Sequence, residues 1–444
     1  MNLRRWLTPG MGVKRWLGVL FLGLLRLAMG VAHLVRQATR DLDPDGLLGA
    51  VVDAITLQAL PFELRGLVAG IVGVSLIALG GIGLLRAITT PLRTSDGEQP
   101  LVEVIYQKRF LARGPRIVAI GGGTGLAVLL RGLKEHSSNL TAVVTVADDG
   151  GSSGVLRDQL GIPPVGDIRN CIAALADAEP LMSDLLQYRF PGTDGGDASP
   201  ASPGLGGHPV GNLLLAAMTA LEGGDFEEGV RQINRILAVR GQVVPVTATP
   251  LTLHARCRDG TTVDGQSLIM RTTGIERVWL SPPDVLPSAD ALVAIAEADL
   301  IVLGPGSLYT SILPSLLIPG VRDAILSATA LRVYVCNVAT QAGETTGMDL
   351  AGHVEALVAH TAPGLVDVVL ANDRFDARVP SAWLGETVRA TRPLDGPAAP
   401  RVVFDDVIDH DNAHHHESDR LATALLRVLD TEPGTRRRTA DRSA

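Results

Sequence analysis

Residues Arg116–Gly125 read RIVAIGGGTG, and the fold of the whole chain turns on them. A β-rich apolar run stops in three consecutive glycines, a threonine and a fourth glycine; Leu126–His136 (LAVLLRGLKEH) then continues with apolar residues at helical spacing. A strand that breaks into glycines at a helix start gathers backbone N–H groups around one small volume. That volume lies at the positive end of the helix dipole, with no Cβ to obstruct an anion. Gly121, Gly122, Gly123, Thr124 and Gly125 are therefore candidate phosphate ligands. GGGTG has neither the GxGxxG spacing nor the Lys-Ser/Thr of a P-loop, so it specifies neither NAD nor ATP.

Downstream, Thr141–Ala147 (TAVVTVA) is a second β-rich run and ends at Asp148 and Asp149. The two runs and the helix between them make a βαβ unit, with acidic groups where open parallel sheets place their ligands. In ADDGGSSG the carboxylates of Asp148 and Asp149 suit sugar hydroxyls or a Mg²⁺ ion, while Gly150, Gly151, Ser152 and Ser153 offer donors to oxygens. PPVGDIRN adds Asp167 as a cap for the helix near Cys171, with Arg169 and Asn170 beside it; Arg169 is suited to fork onto a phosphate. His208 and Asn212 open a helix over Leu213–Leu221, after a Gly/Pro/Ser/Asp tract that reads as a mobile loop.

The parallel pattern returns with a helix over Ala289–Ala298 and a strand Leu300–Leu303, which breaks into GPGSLYTS and supplies Gly304, Gly306, Ser307, Tyr309 and Thr310. Val333–Cys336 ends at Asn337 and Val366–Ala371 at Asn372. Repeated small polar endings point to a cleft along the C-terminal edge of the sheet. The expected fold is α/β, a Rossmann-like mostly parallel sheet flanked by helices. Val243–Ala248, Leu251–Arg256 and Thr261–Val263, with a hairpin turn at Asp259-Gly260, are expected to form a small antiparallel appendage.

Composition bounds the rest. The 444 residues carry a net charge of −8 and only 3% aromatic residues, which argues against a nucleic-acid partner. Three cysteines far apart form neither a disulfide framework nor a CxxC pair and fit a reducing compartment. Apolarity is concentrated near the N-terminus. Leu67–Leu85 runs 19 residues without a charge, close to the roughly 20 that cross a bilayer core. Trp16–Val35, interrupted by Arg26 and His33, is compatible with a cleaved signal peptide, an interfacial helix or an earlier span, of which the span is favoured. Basic residues flank the pair and acidic ones join it, so both ends are expected in the cytoplasm. The expected organisation is a membrane anchor over 1–95, a linker over 96–114, a ligand-binding domain over 115–432 and a disordered tail over 433–444.

GGGTGLAVLLRGLK, TVADDGGSSGVLR and GIPPVGDIRNCIAALAD occur in fixed order, followed by GHPVGN, DLIVLGPGSLYTS and VYVCNVATQAGE. With these motifs the chain resembles the YvcK-type gluconeogenesis factors of the CofD (2-phospho-L-lactate transferase-like) family, from about Arg116 to Leu429 and without the N-terminal hairpin. The resemblance implies a nucleotide-sugar ligand of the UDP-N-acetylglucosamine kind and a regulator linking carbon metabolism in gluconeogenic growth to cell-wall synthesis and cell shape. Partners consistent with that role are cell-wall synthesis proteins, the membrane and further copies of the chain. The alternative is a CofD-like transferase acting on a diphosphate-linked substrate, with Mg²⁺ at Asp148 and Asp149. Pro209 and Val210 depart from the serine and aromatic commoner in the family, which puts any contact of those side chains in doubt.

Overall fold

RIVAIG forms the strand it promises: β1 (Ile117–Gly121) is buried along its whole length, as a parallel strand covered on both faces must be. The computed structural model describes residues 111–176, 179–191, 205–378, 385–396 and 398–431, with Phe21, Leu24, Ala28, Pro61, Leu64 and Ile71 isolated ahead of them. Apart from those isolated positions, the expected spans at 16–35 and 67–85 lie outside the described residues, as do the 192–204 tract and the tail after 431. Among the described residues no helix is long and apolar enough to cross a membrane.

After β1 come α1 (Gly123–Leu133), β2 (Leu140–Val144), α2 (Gly151–Leu160), α3 (Gly166–Leu175), α4 (Glu179–Gln187), α5 (Val210–Leu221) and α6 (Phe226–Ile236). Then follow β3 (Gln242–Pro245), β4 (Thr252–Cys257), β5 (Thr262–Asp264), α7 (Gln266–Ile269), β6 (Ile275–Ser281), α8 (Ala289–Glu297) and β7 (Leu300–Leu303). A π-helical turn at Leu308–Ile312 leads into α9 (Leu313–Leu316), α10 (Pro319–Ser327), β8 (Leu331–Val335), α11 (Leu350–His360), β9 (Val368–Asn372), β10 (Arg401–Asp405) and α12 (Ser418–Thr431).

Seven strands form one sheet in the order β10-β9-β8-β7-β1-β2-β3. Every pairing in it is parallel. The chain winds outward from β1 through β2 to β3, then returns to the other side of β1 with β7 and winds away through β10. That reversal makes the β1/β7 boundary the topological switch point of a doubly wound sheet.

The smaller sheet, β5-β4-β6, is antiparallel. Its β4/β5 turn uses Asp259-Gly260 as expected: Gly260 has φ +86°, and Asp259 Oδ1 accepts from Thr261 N at 2.9 Å and Oγ1 at 2.6 Å. Two particulars differ from expectation. The Val243–Ala248 run belongs instead to the main sheet, where β3 pairs in parallel with β2. A four-residue apolar strand carries no periodicity that distinguishes a buried parallel partner from a hairpin arm, and only the packing against β2 decides it. The third strand of the appendage is β6, whose uneven polar pattern gives little strand signal.

Helix packing leaves its own marks. α1 packs against both α3 and α12. A Cβ on Gly132 would lie 2.1 Å from the Ser418 carbonyl oxygen, so a glycine is what lets α12 begin against α1. Lys134, just past α1 and 6% exposed, donates from Nζ to the carbonyls of Ala174 (2.9 Å) and Ala176 (3.2 Å). It thereby neutralises the negative end of α3. Replacing it with an apolar isostere leaves buried carbonyls without their charged donor: Lys134→Met is expected to lower unfolding stability by about 2 kcal/mol, read as a shift of the urea midpoint at unchanged slope.

Candidate functional site

Two glycine-broken strand ends meet at the switch point. At the end of β1, Gly122 is extended, and Gly123 takes φ +68°, a left-handed conformation that L side chains adopt only with strain. On the β7 side, Gly304 N donates to the Ile120 carbonyl at 2.9 Å, which carries the sheet ladder into the turn. A Cβ on Gly125 would lie 2.7 Å from the Pro305 carbonyl oxygen, backbone that has no room to retreat. Asn337 clasps Gly306 from the next strand end, donating from Nδ2 to its carbonyl at 2.9 Å and accepting from its N–H at 3.4 Å.

Three helices, α1, α2 and α3, begin around these turns, and none of their N-cap residues caps its own helix with a side chain. Asp148 accepts from Gly150 N at 2.9 Å, and a Cβ on Gly166, the first residue of α3, would stand 3.4 Å from its carboxylate. Asp167, in the first turn of α3, reaches the phosphate turn: its Oδ2 sits 2.4 Å from where a Cβ on Gly122 would be, and it accepts the Gly123 N–H. Burial, reinforced by the neighbouring Asp148 charge, pushes the Asp167 carboxyl up to about 6. Burial also raises Asp148. The Asp148 carboxylate therefore acts on Asp167, and the adjacent Asp149 charge also raises Asp148.

Asp149 has another task. Its Oδ1 accepts from Ser267 N at 2.9 Å and Ser267 Oγ at 2.7 Å, tying the acidic loop to α7 in the appendage. These bonds engage Asp149 through Oδ1, and among the described residues no group of three or more His, Cys, Asp or Glu is arranged to hold a metal ion.

A second chain of polar contacts joins residues far apart in sequence. Ser152 Oγ lies 2.8 Å from His208 Nδ1, and Asn212 Nδ2 donates to the same Oγ at 3.0 Å. Ser152 Oγ accepts from Asn212 and has one further lone pair and one proton, so it can meet His208 Nδ1 as donor or as acceptor according to the imidazole tautomer. Arg169 donates to Asn212 Oδ1 at 2.9 Å and Asn170 Oδ1 at 3.0 Å. Its Nε is buried with no protein partner. Burial, then the neighbouring Arg189, lowers the Arg169 pKa, which marks it as a buried cation with unmet donor capacity.

Not every expected residue joins this centre. The N–H groups of Tyr309 (2.6 Å) and Thr310 (3.2 Å), and Thr310 Oγ1 (3.1 Å), all donate to the buried carboxyl group of Glu344, so a protein side chain already occupies them. Ser307 precedes the π-helical turn and accepts there through its carbonyl, from Ser311 N at 2.9 Å and Ile312 N at 3.0 Å. Asn372 ends β9, three strands from β1 in the sheet order, which at about 4.8 Å per strand is some 14 Å away. Conversely, Thr145, Ser311 and Glu344 escape a reading by motif. A Cβ on Gly122 would lie 2.6 Å from Thr145 Cγ2, one on Gly123 would lie 3.8 Å from Ser311 Oγ, and Thr145 Oγ1 is buried and unpartnered. Ser311 and Glu344 sit inside GPGSLYTS and VATQAGE, where neighbouring glycines and hydroxyls drew attention from them.

Helix starts around interlocked glycine turns, at the switch point of a doubly wound sheet, define a Rossmann-like α/β protein with a glycine-lined turn pair at that point. Residues 117–388 match the family model described as 2-phospho-L-lactate transferase CofD. The gluconeogenesis factor of Bacillus subtilis is 43% identical over 328 residues, 72% of this chain and 99% of its own. A relative from Clostridium acetobutylicum is 41% identical over 440 residues, 97% of this chain and 92% of its own. A crystal structure of a UPF0052 family member from Bacillus halodurans superposes with a TM-score of 0.63 at 41% identity, covering 70% of this chain and 99% of that one. The chain belongs to the CofD family, in its YvcK-type gluconeogenesis-factor branch.

Two outcomes test this geometry. Gly125→Ala drives a Cβ into the Pro305 carbonyl and is expected to cost about 1–3 kcal/mol of stability, measured by urea unfolding. Glu344 tests the electrostatics. Its carboxyl is pushed up to about 7 by burial, against the donors that lower it. A raised carboxyl pKa means the folded state holds the proton more tightly, so this group's contribution to stability falls as pH rises from about 4.5 to 7. Glu344→Gln keeps the acceptor oxygen without the charge. It should therefore be more stable than the parent at pH 8, by up to about 3 kcal/mol, and the gap should close below about pH 5.

Proposed function

We propose that the switch-point site binds a nucleotide sugar of the UDP-N-acetylglucosamine kind, and that the protein is a sensor that couples carbon metabolism to cell-wall synthesis and cell shape. The observation that carries this reading is the convergence of three helix N-termini on the interlocked glycine turns, with the unpartnered Arg169 Nε beside them. Helix starts and a buried guanidinium favour a diphosphate. Asp148 and Asp167 suit the hydroxyls of a ribose or sugar. In this reading the N-terminal hairpin over 16–35 and 67–85 holds the sensor at the cytoplasmic face of the membrane.

A transferase reading has one observation of its own. The Ser152–His208 hydrogen bond at 2.8 Å gives the site a hydroxyl oriented toward a potential base. The proposed sensor needs no such activation, so the two readings part on turnover.

Isothermal titration of the full chain with UDP-N-acetylglucosamine should show saturable binding that weakens at least about tenfold in Arg169→Met, a loss of about 1.4 kcal/mol. No heat of binding up to about 1 mM ligand, where affinity is already only about 4 kcal/mol, would sink the sensor reading. Steady turnover of the ligand that disappears in Ser152→Ala would favour the transferase.

A further inference from the structure

Beyond the switch point, a cavity of about 970 Å³ opens between the appendage and the second half of the main sheet. It is bounded by the Thr273–Glu276 edge of β6, Tyr309 of the π-helical turn, the loop that follows β8, α11, and the segment 386–392. The volume falls at the top of the range of about 300–1,000 Å³ typical of small-molecule sites. The glycine turns at 121–125 do not line it. The wall it shares with the switch point is the π-helical turn, whose first N–H groups are held by Glu344.

The charges around this cavity are mostly paired, and the exceptions indicate what it takes. Arg392 pairs with Asp349 and Glu355, and Glu276 pairs with Arg256. The Arg258 guanidinium has no hydrogen-bond or ion-pair partner among the described residues. Arg389 stacks over the Phe375 ring at 4.2 Å and has no carboxylate partner among them. Glu386 also lines the cavity and meets Thr340 through its backbone alone, its N–H donating to Thr340 Oγ1 (2.8 Å) and its carbonyl accepting from Thr340 N (2.7 Å), so its carboxylate takes no part in that pairing. Burial lowers the pKa of the lining His360. Two uncommitted guanidiniums favour a phosphate, while a carboxylate and threonine hydroxyls favour hydroxyl groups. Ile275, Met348 and Ala359 add small apolar patches of the kind a sugar ring covers.

We propose that this cavity is a second ligand site for a phosphorylated sugar, with Arg258 and Arg389 on the phosphate and Glu386 on the sugar hydroxyls. It does not depend on the nucleotide-sugar reading of the switch point, because it uses different residues and a different cavity. Its occupant would press on the loop carrying Glu344, and through Tyr309 and Thr310 on the turn that follows Gly304–Gly306.

The test titrates the full chain with glucose 6-phosphate, with glucose and inorganic phosphate as matched probes. Saturable binding of glucose 6-phosphate is expected, at least about tenfold tighter than inorganic phosphate and with no measurable binding of glucose. The double variant Arg258→Ala/Arg389→Ala should weaken it at least about tenfold, whereas Arg169→Met at the switch point should leave it unchanged. Both arginines are exposed, so the double variant should keep the parent melting profile. The proposal is overturned by any of three results: no saturation up to about 10 mM, equal affinity for inorganic phosphate, or binding lost in Arg169→Met but retained in the double variant.

Discussion

The structure depends on one close approach, that of the β1 turn to the β7 turn. Gly304 N reaches the Ile120 carbonyl at 2.9 Å, and Gly125 packs against the Pro305 carbonyl with no room for a methyl group. Two backbones this close cannot carry side chains between them, which explains why both strand ends are rich in glycine whatever ligand they serve. The same contact closes the switch point, so sheet order and site geometry have a single cause.

Around that contact, electrostatics is finely divided. The starts of α1, α2 and α3 create a positive region, and Asp148 and Asp167 sit inside it with raised proton affinity. Desolvation opposes their charge while the helix starts favour it. A buried arginine with an unpartnered Nε completes a region of partly met demands. Neighbouring demands are met internally: Glu344 occupies the N–H groups after the second turn, and Asp149 is bound to Ser267. The protein thus distinguishes donors left open from donors it has already answered.

That distinction could not be read from motifs. Asp148 and Asp149 are adjacent in sequence and look like a pair, yet successive residues direct their side chains apart. Asp149 hydrogen-bonds the appendage through Ser267 while its charge still raises Asp148, and Asp148 in turn raises Asp167. Tyr309 and Thr310 look like free donors until Glu344, more than thirty residues later, is seen on them. Asn372 resembles Asn337 as a polar strand ending, but sheet order puts one beside the Gly306 turn and the other three strands from β1.

By itself the sequence determined the strand–glycine–helix unit at 116–133, the positions of β7, β8 and β9 to within a few residues, the Asp259-Gly260 hairpin and the family resemblance. These are local properties: apolar periodicity, glycine placement and turn chemistry act over a few residues and survive in a linear string. Tertiary structure alone decided that β3 joins the main sheet and that Ser152 meets His208. It also decided which acidic side chains face the glycine turn and where the second cavity opens. Each of these is a contact between residues distant in the chain, chosen by which surfaces can be buried together, and no window of sequence contains both partners.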